Sequence, residues 1–313
     1  MNNEKIYIPF AEIPVVEHCN LNCSLCNSHA YLIDESVYPL EQFKRDIDVL
    51  SDNVHFGLLT FMGGEPLLCD NLHEYIRYAK EKKVGEVYRI LTNGLLVKHI
   101  SPKLLEEVDV LEISRYPQMK ETAKELCSYL KPLSHQYNFS FYVKEINYFN
   151  CIDSVELSDE EAQRGYDNCS RIIDGCCIFN GYFYKCMRPK TTNLYLEKEH
   201  GIKSDVDMKH MDGVEITSDK FAERLREYRN RSERLEACNY CLMGLERNCS
   251  AVAKIKHLAF SQSFVIKTFY KSNLLYYGFK KFKKLLQYDE GACCGGDDKI
   301  VTKVHEVRGK TVE

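Results

Sequence analysis

The chain of 313 residues contains no tryptophan, and its formal net charge is −4. No stretch of eighteen consecutive apolar residues occurs, so we expect no membrane-spanning helix. The slightly negative charge offers no overall basic field for nucleic acid. The first residues also lack a basic segment followed by an apolar core, so no secretion signal is expected. These absences predict a cytoplasmic protein, and a content of 44% hydrophobic and 28% charged residues is typical of globular domains.

Cysteine is abundant, with 15 residues. Without a secretion signal, this number favours metal or redox chemistry in a reducing cytoplasm over a disulfide framework. Three of them, Cys19, Cys23 and Cys26, have the spacing C-x3-C-x2-C. Three thiolates can hold three corners of a four-iron cluster and leave the fourth iron open, whereas a cluster with four cysteine ligands mainly transfers electrons. The triplet therefore predicts a cluster that can bind a cofactor or substrate.

Short apolar runs alternate with amphipathic segments over residues 11–150. The predicted strands are 11–17, 56–62, 87–92, 109–114 and 139–146, and the predicted helices are 39–52, 69–83, 101–107 and 118–131. This alternation predicts parallel strands with right-handed crossovers, in a closed or partly closed barrel or an open doubly wound sheet. Polar motifs follow three of the strands, at the edge where both architectures place active sites: Gly63-Gly64-Glu65-Pro66, Thr92-Asn93-Gly94 and Ser114-Arg115-Tyr116.

The cysteine triplet, the Gly-Gly-Glu-Pro motif and the two later strand ends, in this order, resemble the radical S-adenosylmethionine (SAM) superfamily. The resemblance covers about the first half of the chain. It implies an α/β domain over 1–150 with a partial (β/α)6 TIM-like barrel, a SAM-binding 4Fe-4S cluster, SAM itself and an electron donor such as flavodoxin or ferredoxin. One departure is Leu25, because the residue before the third cysteine is usually aromatic in this family.

The same resemblance implies roles for the polar motifs. SAM would chelate the open iron, and its reductive cleavage would give a 5′-deoxyadenosyl radical that abstracts hydrogen from the substrate. Gly63 and Gly64 would let the backbone approach the methionine amino group, and Glu65 would accept a hydrogen bond from that group. Hydroxyl, amide and guanidinium groups would contact the ribose and the methionine carboxylate. These cofactor-binding predictions are Gly63, Gly64, Glu65, Thr92, Asn93, Ser114 and Arg115.

A second cysteine set follows in residues 151–250. The run from Cys177 to Cys186 predicts a hairpin with an Asn-Gly turn. With the pair Cys238 and Cys241, this region resembles the SPASM/Twitch extension of radical SAM enzymes. A full SPASM pattern would continue with x5-Cys-x3-Cys, but seven residues precede Cys249. We therefore expect a Twitch-like extension with one auxiliary 4Fe-4S cluster.

The predicted auxiliary ligands are Cys169, Cys186, Cys238 and Cys241, with Cys177 a close rival and Cys176 a weaker one. A zinc ribbon is the alternative, since two cysteine pairs on hairpins also suit tetrahedral zinc. Residues 251–313 predict a helical C-terminal segment and a flexible tail. That tail contains Cys293 and Cys294, for which the sequence predicts no role.

Three functions remain open. The first is hydrogen abstraction from a small-molecule substrate, such as a sugar, a cyclitol or a glycan-linked compound. Single-cluster Twitch enzymes resemble this layout and include an alcohol dehydrogenase of aminoglycoside biosynthesis. The second is maturation of a peptide or protein, although no leader-recognition domain is apparent. The third is a non-catalytic iron–sulfur or zinc protein. For an enzyme, we predict Lys144, Tyr116 and Glu145 as catalytic residues, since a lysine or tyrosine can transfer a proton after hydrogen abstraction.

Overall fold

Eleven strands and nine α-helices form in the computed structural model, which describes residues 5–23, 25–117, 119–146, 148–245, 249–252 and 293–295. The strands are β1 (Ile6–Val16), β2 (Val54–Gly63), β3 (Gly85–Thr92), β4 (Val110–Arg115), β5 (Ser140–Glu145), β6 (Tyr148–Cys151), β7 (Cys177–Phe179), β8 (Tyr182–Tyr184), β9 (Gly213–Glu215), β10 (Cys249–Val252) and β11 (Cys293–Gly295). The helices are α1 (Leu40–Asn53), α2 (Leu72–Glu81), α3 (Pro102–Glu107), α4 (Ala123–Tyr137), α5 (Asp159–Asp167), α6 (Ser170–Asp174), α7 (Thr192–His200), α8 (Met208–Met211) and α9 (Phe221–Asn230).

Nine of these strands form one mixed sheet in the order β11-β5-β4-β3-β2-β1-β7-β8-β9. Neighbouring strands from β1 to β5 are parallel, and β7 pairs parallel to β1. The strands β8, β9 and β11 are antiparallel to their neighbours. The two remaining strands, β6 and β10, form a separate antiparallel pair. The predicted α/β class with parallel strands is therefore confirmed for the first half of the chain.

The central strand β2 is buried along almost its whole length, which is typical of a parallel strand covered on both faces. Alternating residues of β2 join different apolar clusters. Leu59 and Phe61 belong to the large core, which includes Phe43 and Ile47 of α1. Leu58 belongs to a smaller cluster with residues of β3, β4 and β5. Since side chains along a strand alternate between faces, the sheet has a helix-covered face and a second face with its own packing.

The second part of the described chain extends this sheet. The Asn-Gly turn forms as predicted between β7 and β8, with φ of 45° at Asn180 and 87° at Gly181. The Gly181 N–H donates to Asp46 Oδ2 of α1 over 2.8 Å, which fixes the hairpin against the first domain. A 3-10 helix over Glu236–Tyr240 then carries Cys238. The extension is thus attached to β1 on one side and to α1 at its tip.

Several boundaries differ from the sequence prediction. β1 begins at Ile6 instead of residue 11, because Ile6 pairs with Val54 and the parallel ladder continues from there. α4 begins after Thr122 instead of at residue 118, because Thr122 and Glu125 form a capping box. Most of the predicted C-terminal segment 251–313 lies outside the described residues, while Cys293–Gly295 pairs with β5. No helix of the described residues is long and apolar enough to cross a membrane.

Candidate functional site

The cysteine triplet lies on the loop that follows β1, with Cys23 buried and Cys19 and Cys26 half-buried. Burial raises the pKa of Cys19 to about 11 and that of Cys23 to about 12. The charges of Cys26 and Cys19 raise the pKa of Cys23 further, so these thiols are near one another. Metal ligation requires the thiolate form. With pKa values this high, the thiols lose their protons only when a positively charged partner, such as a metal, binds them. The loop is therefore suited to a metal centre and not to three free thiolates.

The Gly-Gly-Glu-Pro turn packs directly against this cysteine loop. The Gly64 N–H donates to Val16 O over 2.7 Å, and the Glu65 N–H donates to His18 O over 3.0 Å. A Cβ at Gly64 would lie 2.0 Å from His18 O, and one at Gly63 (φ 138°) would lie 1.8 Å from Val16 O. The two glycines therefore allow the end of β2 to approach the backbone before the triplet. Their predicted contact with the SAM amino group stays a prediction.

Glu65 joins the ends of two neighbouring strands. The side chain is fully buried. Its Oε1 accepts hydrogen bonds from the Thr92 hydroxyl (2.7 Å) and the Leu67 N–H (3.0 Å), and its Oε2 accepts one from the Asn93 N–H (2.8 Å). Burial raises the pKa of this carboxyl group, and the three hydrogen bonds oppose that rise. The contacts give Glu65 a clear structural role, while its predicted role as a SAM acceptor stays a prediction.

Asn93 connects this arrangement to the cysteine loop. Its Nδ2 donates to Asn20 Oδ1 over 2.7 Å and lies 3.7 Å from the Cys19 sulfur. Its Oδ1 accepts from the Leu95 N–H over 3.0 Å, so the side-chain orientation is fixed on both sides. The predicted SAM contact of Asn93 stays a prediction. Its contact with a cysteine of the triplet was not predicted, because sequence spacing does not show which strand end faces which loop.

The remaining predicted residues lie at the same edge of the sheet. In the ladder between β4 and β5, Ser114 is opposite Lys144 and Arg115 is opposite Glu145. The Arg115 guanidinium forms an ion pair with Glu145 over 3.1 Å, and its Nε donates to a backbone carbonyl of the following loop over 2.6 Å. Burial raises the pKa of Tyr116, and the charges of the cysteine triplet raise it further. Tyr116 is therefore close to the triplet.

A buried polar layer lies on the same sheet face as the small apolar cluster, one step closer to the triplet. Arg89 donates to the Thr60 hydroxyl from Nε (3.1 Å) and from Nη2 (2.8 Å). Its Nη1 contacts Glu112 Oε2 at 2.8 Å and the Tyr142 hydroxyl at 3.2 Å. The Tyr142 hydroxyl also donates to Glu112 over 2.5 Å. The sequence prediction missed this layer, although a lone arginine and glutamate inside apolar strands were a usable signal.

The second cysteine set surrounds a cavity with an empty volume of about 780 Å³, part of which is open to solvent. All four preferred ligands line it: Cys169, Cys186, Cys238 and Cys241. Burial raises the pKa of Cys186, and the charges of Cys238, Cys241 and Cys169 contribute to that rise. Four thiols from three separate segments therefore share one cavity.

The two rival cysteines take different positions. Cys176 also lines the cavity, whereas Cys177 is not among the described residues that line it. Cys177 is fully buried in β7, where it pairs with Tyr184 of β8. Consecutive residues in extended chain point to opposite sides, which explains why only one of the two reaches the cavity. The geometry therefore supports Cys176 more than Cys177 as a further ligand, although the sequence favours Cys177.

Unpartnered polar atoms around the cavity test whether it suits an anionic group. Two donors, Arg188 Nε and Arg229 Nη1, and one acceptor, Asn27 Oδ1, are buried and have no hydrogen-bond partner in the described part of the chain, and only the two donors bear on an anion. Arg188 and Asn27 line the cavity, and the charge of Arg229 lowers the pKa of Cys176 against the dominant effect of burial. A buried cationic donor without a partner is costly unless a ligand completes it. Thiols with cationic donors fit an iron–sulfur cluster, whose thiolates make it anionic.

No group of three or more His, Cys, Asp or Glu residues within the described ranges is arranged to hold a single metal ion. This finding concerns one ion with converging ligands. In a four-iron cluster each thiolate binds a different iron, so the sulfur atoms lie further apart. The result therefore bears on a single-ion site and not on a four-iron cluster.

The comparison with known families decides the first half of the chain. Residues 13–150 match the family model described as the radical SAM superfamily. This segment belongs to the radical SAM superfamily. The superfamily consists of enzymes and implies a 4Fe-4S cluster and SAM. The superfamily prediction from the sequence is therefore confirmed, and the matched residues include the whole cysteine triplet and all seven residues assigned to SAM.

Curated relatives match a similar segment. The chain is 29% identical over 91 residues to an S-adenosylmethionine-dependent nucleotide dehydratase of Flammeovirga pacifica, covering 28% of this chain and 31% of that protein. It is 37% identical over 97 residues to an Fe-coproporphyrin III synthase of Methanosarcina barkeri, covering 30% and 23%. It is 35% identical over 100 residues to the subtilosin biosynthesis protein AlbA of Bacillus subtilis, covering 31% and 21%. The match thus spans less than a third of each relative.

Solved structures show longer but weaker similarity. BtrN in complex with AdoMet and 2-DOIA aligns over 80% of this chain and 100% of that chain, with 14% identity and a TM-score of 0.45. Streptococcus suis SuiB bound to its precursor peptide SuiA aligns over 78% and 72%, with 13% identity and a TM-score of 0.37.

Proposed function

We propose that this protein is a radical SAM enzyme that abstracts hydrogen from a small, polar molecule and uses one auxiliary 4Fe-4S cluster. The observation that carries this proposal is the presence of two thiol sites: the cysteine triplet of the superfamily domain, and a cavity with four further thiols. One open cluster starts radical chemistry, and a cluster with four cysteine ligands transfers electrons. The pair supports an oxidation in which the second site accepts an electron.

At the first site, Cys19, Cys23 and Cys26 would hold the cluster and leave one iron for SAM. When bound, the cluster and SAM supply a one-electron cleavage that produces a 5′-deoxyadenosyl radical. Asn93 would hold the triplet loop in place through Asn20 and the Cys19 sulfur. Reduction of the cluster would come from a partner such as flavodoxin or ferredoxin.

At the second site, Cys169, Cys186, Cys238 and Cys241 would hold the auxiliary cluster. The unpartnered donors at the cavity support an anionic occupant over an apolar one. We interpret residues 151–250 as a Twitch-like extension on this basis. We also propose a partial (β/α)6-type barrel for residues 1–150. The parallel order of β1 to β5 supports it, and the curvature of the sheet is inferred from the superfamily match, because strand order alone does not define it.

The buried polar layer supports a small-molecule substrate. Arg89 and Glu112 neutralise each other, so the layer beneath the strand ends carries no net charge, and the hydroxyl groups of Thr60 and Tyr142 are bonded within it. Such a floor suits an uncharged, hydroxyl-rich ligand, for which hydrogen bonds and not ion pairs set the orientation. Lys144 and Ser114 at the rim of the same face would be the candidates for proton transfer and for hydroxyl contacts. A sugar, a cyclitol or a glycan-linked compound has this chemistry.

Peptide maturation is the second candidate function. One curated relative is a bacteriocin biosynthesis protein, and one of the similar structures contains a bound precursor peptide. These two descriptions apply to AlbA and to SuiB themselves.

The first test is the release of 5′-deoxyadenosine by anaerobically reconstituted protein with SAM and dithionite. We expect release by the wild type and only background by the Cys19→Ala/Cys23→Ala/Cys26→Ala variant. Iron analysis should give about eight irons per chain in the wild type and about four in this variant. A reconstituted wild type with about eight irons and no 5′-deoxyadenosine would contradict the enzyme proposal. Zinc in place of the second four irons would contradict the auxiliary cluster.

The second test identifies the substrate class. Deuterated hexoses, cyclitols and nucleotide sugars would be offered singly, with deuterated short peptides as the competing class. Mass spectrometry then shows which compound transfers deuterium to 5′-deoxyadenosine. We expect transfer from a hydroxyl-rich small molecule. Transfer from peptides alone would favour maturation.

A further inference from the structure

Three buried polar residues connect the two cysteine sites. His29 follows the triplet, and its N–H donates to Cys26 O over 2.9 Å. The ring Nε2 lies 3.1 Å from Asp153 Oδ1, and Nδ1 lies 3.0 Å from the Thr191 hydroxyl. Asp153 forms an ion pair with Arg188, two residues after Cys186. The chain of contacts therefore runs from the first cysteine loop to the second cysteine cavity.

This connection is rigid and excluded from water. His29 is 0%, Asp153 1% and Arg188 5% exposed. The His29 ring stacks on Tyr195, with centroids 4.6 Å apart and planes at 11°. Asp153 also pairs across an isolated β-bridge with Cys241, so the backbone on that side belongs to the cavity wall. Burial of this kind makes each charge act at low dielectric, where electrostatic effects are strong.

The Arg188 side chain uses only part of its hydrogen-bonding capacity in this network. Nη1 contacts Asp153 and lies 3.2 Å from His29 Nε2, and Nη2 donates to Tyr240 O over 3.4 Å. Nε is buried without a partner, and Arg188 lines the thiol cavity. The ion pair and the free donor are thus on one side chain between the two sites. A residue needed only for folding would gain nothing from leaving Nε unpaired.

We propose that Arg188 is a positioning residue for the auxiliary cluster: it donates Nε–H to the occupant of the thiol cavity and raises the reduction potential of that cluster. Asp153 and His29 hold the guanidinium in place and connect it to the loop of the first cluster. The inference rests on the auxiliary cluster of the proposed function. Arg188 lines the cavity and Asp153 does not, so the positive end of this ion pair and the Nε–H hydrogen bond both favour the reduced, more negative state of a cluster there. An electron from the substrate would then be accepted more readily.

The test uses the Cys19→Ala/Cys23→Ala/Cys26→Ala background, in which only the auxiliary cluster remains. EPR-monitored redox titration would give the reduction potential of the cluster in this background itself, with Arg188→Lys added, and with Arg188→Gln/Asp153→Asn added. The double variant removes both charges, because loss of one partner alone would leave a buried charge uncompensated and endanger folding. The lysine variant keeps the charge and loses the Nε donor. Arg89→Gln/Glu112→Gln, a buried ion pair outside the cavity, is the matched control.

We expect the ratio of oxidised to reduced cluster, at a fixed potential, to rise about tenfold in the double variant. For a one-electron couple this is 59 mV. Arg188→Lys should show a smaller rise, and the control pair should show none. An unchanged potential in Arg188→Lys and in the double variant, with four irons retained, would overturn the inference. If the double variant loses its iron, the lysine variant decides alone by the same criterion.

Failure of the proposed function gives a different result. A background protein that binds no iron, or binds zinc, would have no auxiliary cluster to titrate. The inference about Arg188 would then fall together with that cluster. An iron-loaded background protein with a potential insensitive to Arg188 would leave the auxiliary cluster standing and remove only the inference.

Discussion

The two cysteine sites are built in opposite ways. The triplet comes from a single loop, Cys19 to Cys26, and neighbouring turns press against it. The second set comes from three separate segments between Cys169 and Cys241, which meet only in the folded extension. The comparison indicates that the first site depends on close backbone packing, whereas the second depends on the tertiary positions of its segments.

Each site nevertheless has a buried carboxylate that accepts hydrogen bonds from nearby backbone N–H groups. Glu65 accepts from Thr92 and Asn93, and Asn93 reaches the triplet loop. Asp212 accepts from the N–H groups of Glu236 (2.7 Å) and Ala237 (2.8 Å), at the start of the 3-10 helix that carries Cys238. A buried carboxylate therefore holds the loop beside the triplet in one region and the 3-10 helix that carries Cys238 in the other.

The largest effect is expected at the packed turn of the first site. Gly63→Ala would place a Cβ 1.8 Å from Val16 O at a φ of 138°, so both overlap and backbone strain oppose it. We expect a loss of about 3 kcal/mol or more in the free energy of unfolding, with reduced iron at the first site. The measurement is urea unfolding together with iron content.

Gly201→Ala is the matched control for this change. Gly201 also has a positive φ, 68°, but no atom lies within 4 Å of an added Cβ. Only the left-handed backbone is then unfavourable, which costs about 1 kcal/mol. Equal losses in the two variants would show that the packing against the cysteine loop is not the cause.

The second prediction concerns pH and the extension. Burial raises the pKa of Asp212 from its ordinary value of 3.8 to about 6, and the two hydrogen bonds to its carboxylate oppose that rise. Because the folded pKa lies above the unfolded one, the stabilisation is present below pH 3.8 and is lost as the pH rises through about 6. With a side chain only 1% exposed, a rise of this size is equivalent to about 3 kcal/mol.

Asp212→Asn removes this titration. The free energy of unfolding of the wild type minus that of this variant should therefore fall by up to about 3 kcal/mol between pH 4 and pH 7. Urea unfolding at several pH values measures it. A wild-type minus variant value that increases with rising pH would mean that the folded carboxyl group has a lowered pKa instead. The wild-type iron content at each pH serves as a control for cluster loss.

The sequence predicted the local features well. The order of parallel strands, the cysteine loop and the Asn180-Gly181 turn all depend on short-range patterns, and the structure has them. The spacing of the second cysteines also identified four thiols that share a cavity. Such signals survive because a turn or a strand is determined mainly by its own residues.

Long-range contacts could not be predicted in the same way. Arg89 and Glu112 are 23 residues apart and meet only because β3 and β4 are adjacent. The contact of Arg188 with Asp153 likewise depends on how the extension folds back. The choice between Cys176 and Cys177 turns on the direction of one side chain at the start of β7, which needs the strand register. Register and docking are tertiary properties, so no spacing rule reveals them.

The smallest effect is expected at the rim of the first site, where Arg115 pairs with Glu145. The Glu145 side chain is 37% exposed, so solvent weakens the pair and Glu145→Gln should lower the free energy of unfolding by less than about 1 kcal/mol. Arg115 keeps its bond to Glu121 O in this variant, and the edge of the sheet should retain its structure. Urea unfolding measures the loss, and the exposed pair Lys98–Glu121, changed by Lys98→Met, is the control.

If Glu145 acts in catalysis as predicted, substrate-dependent deuterium transfer should fall by about 100-fold or more despite this small change in stability. Deuterium transfer within a few-fold of the wild type would leave Glu145 with only its structural contact to Arg115 and would point to Lys144 or Tyr116 as the proton-transfer residue.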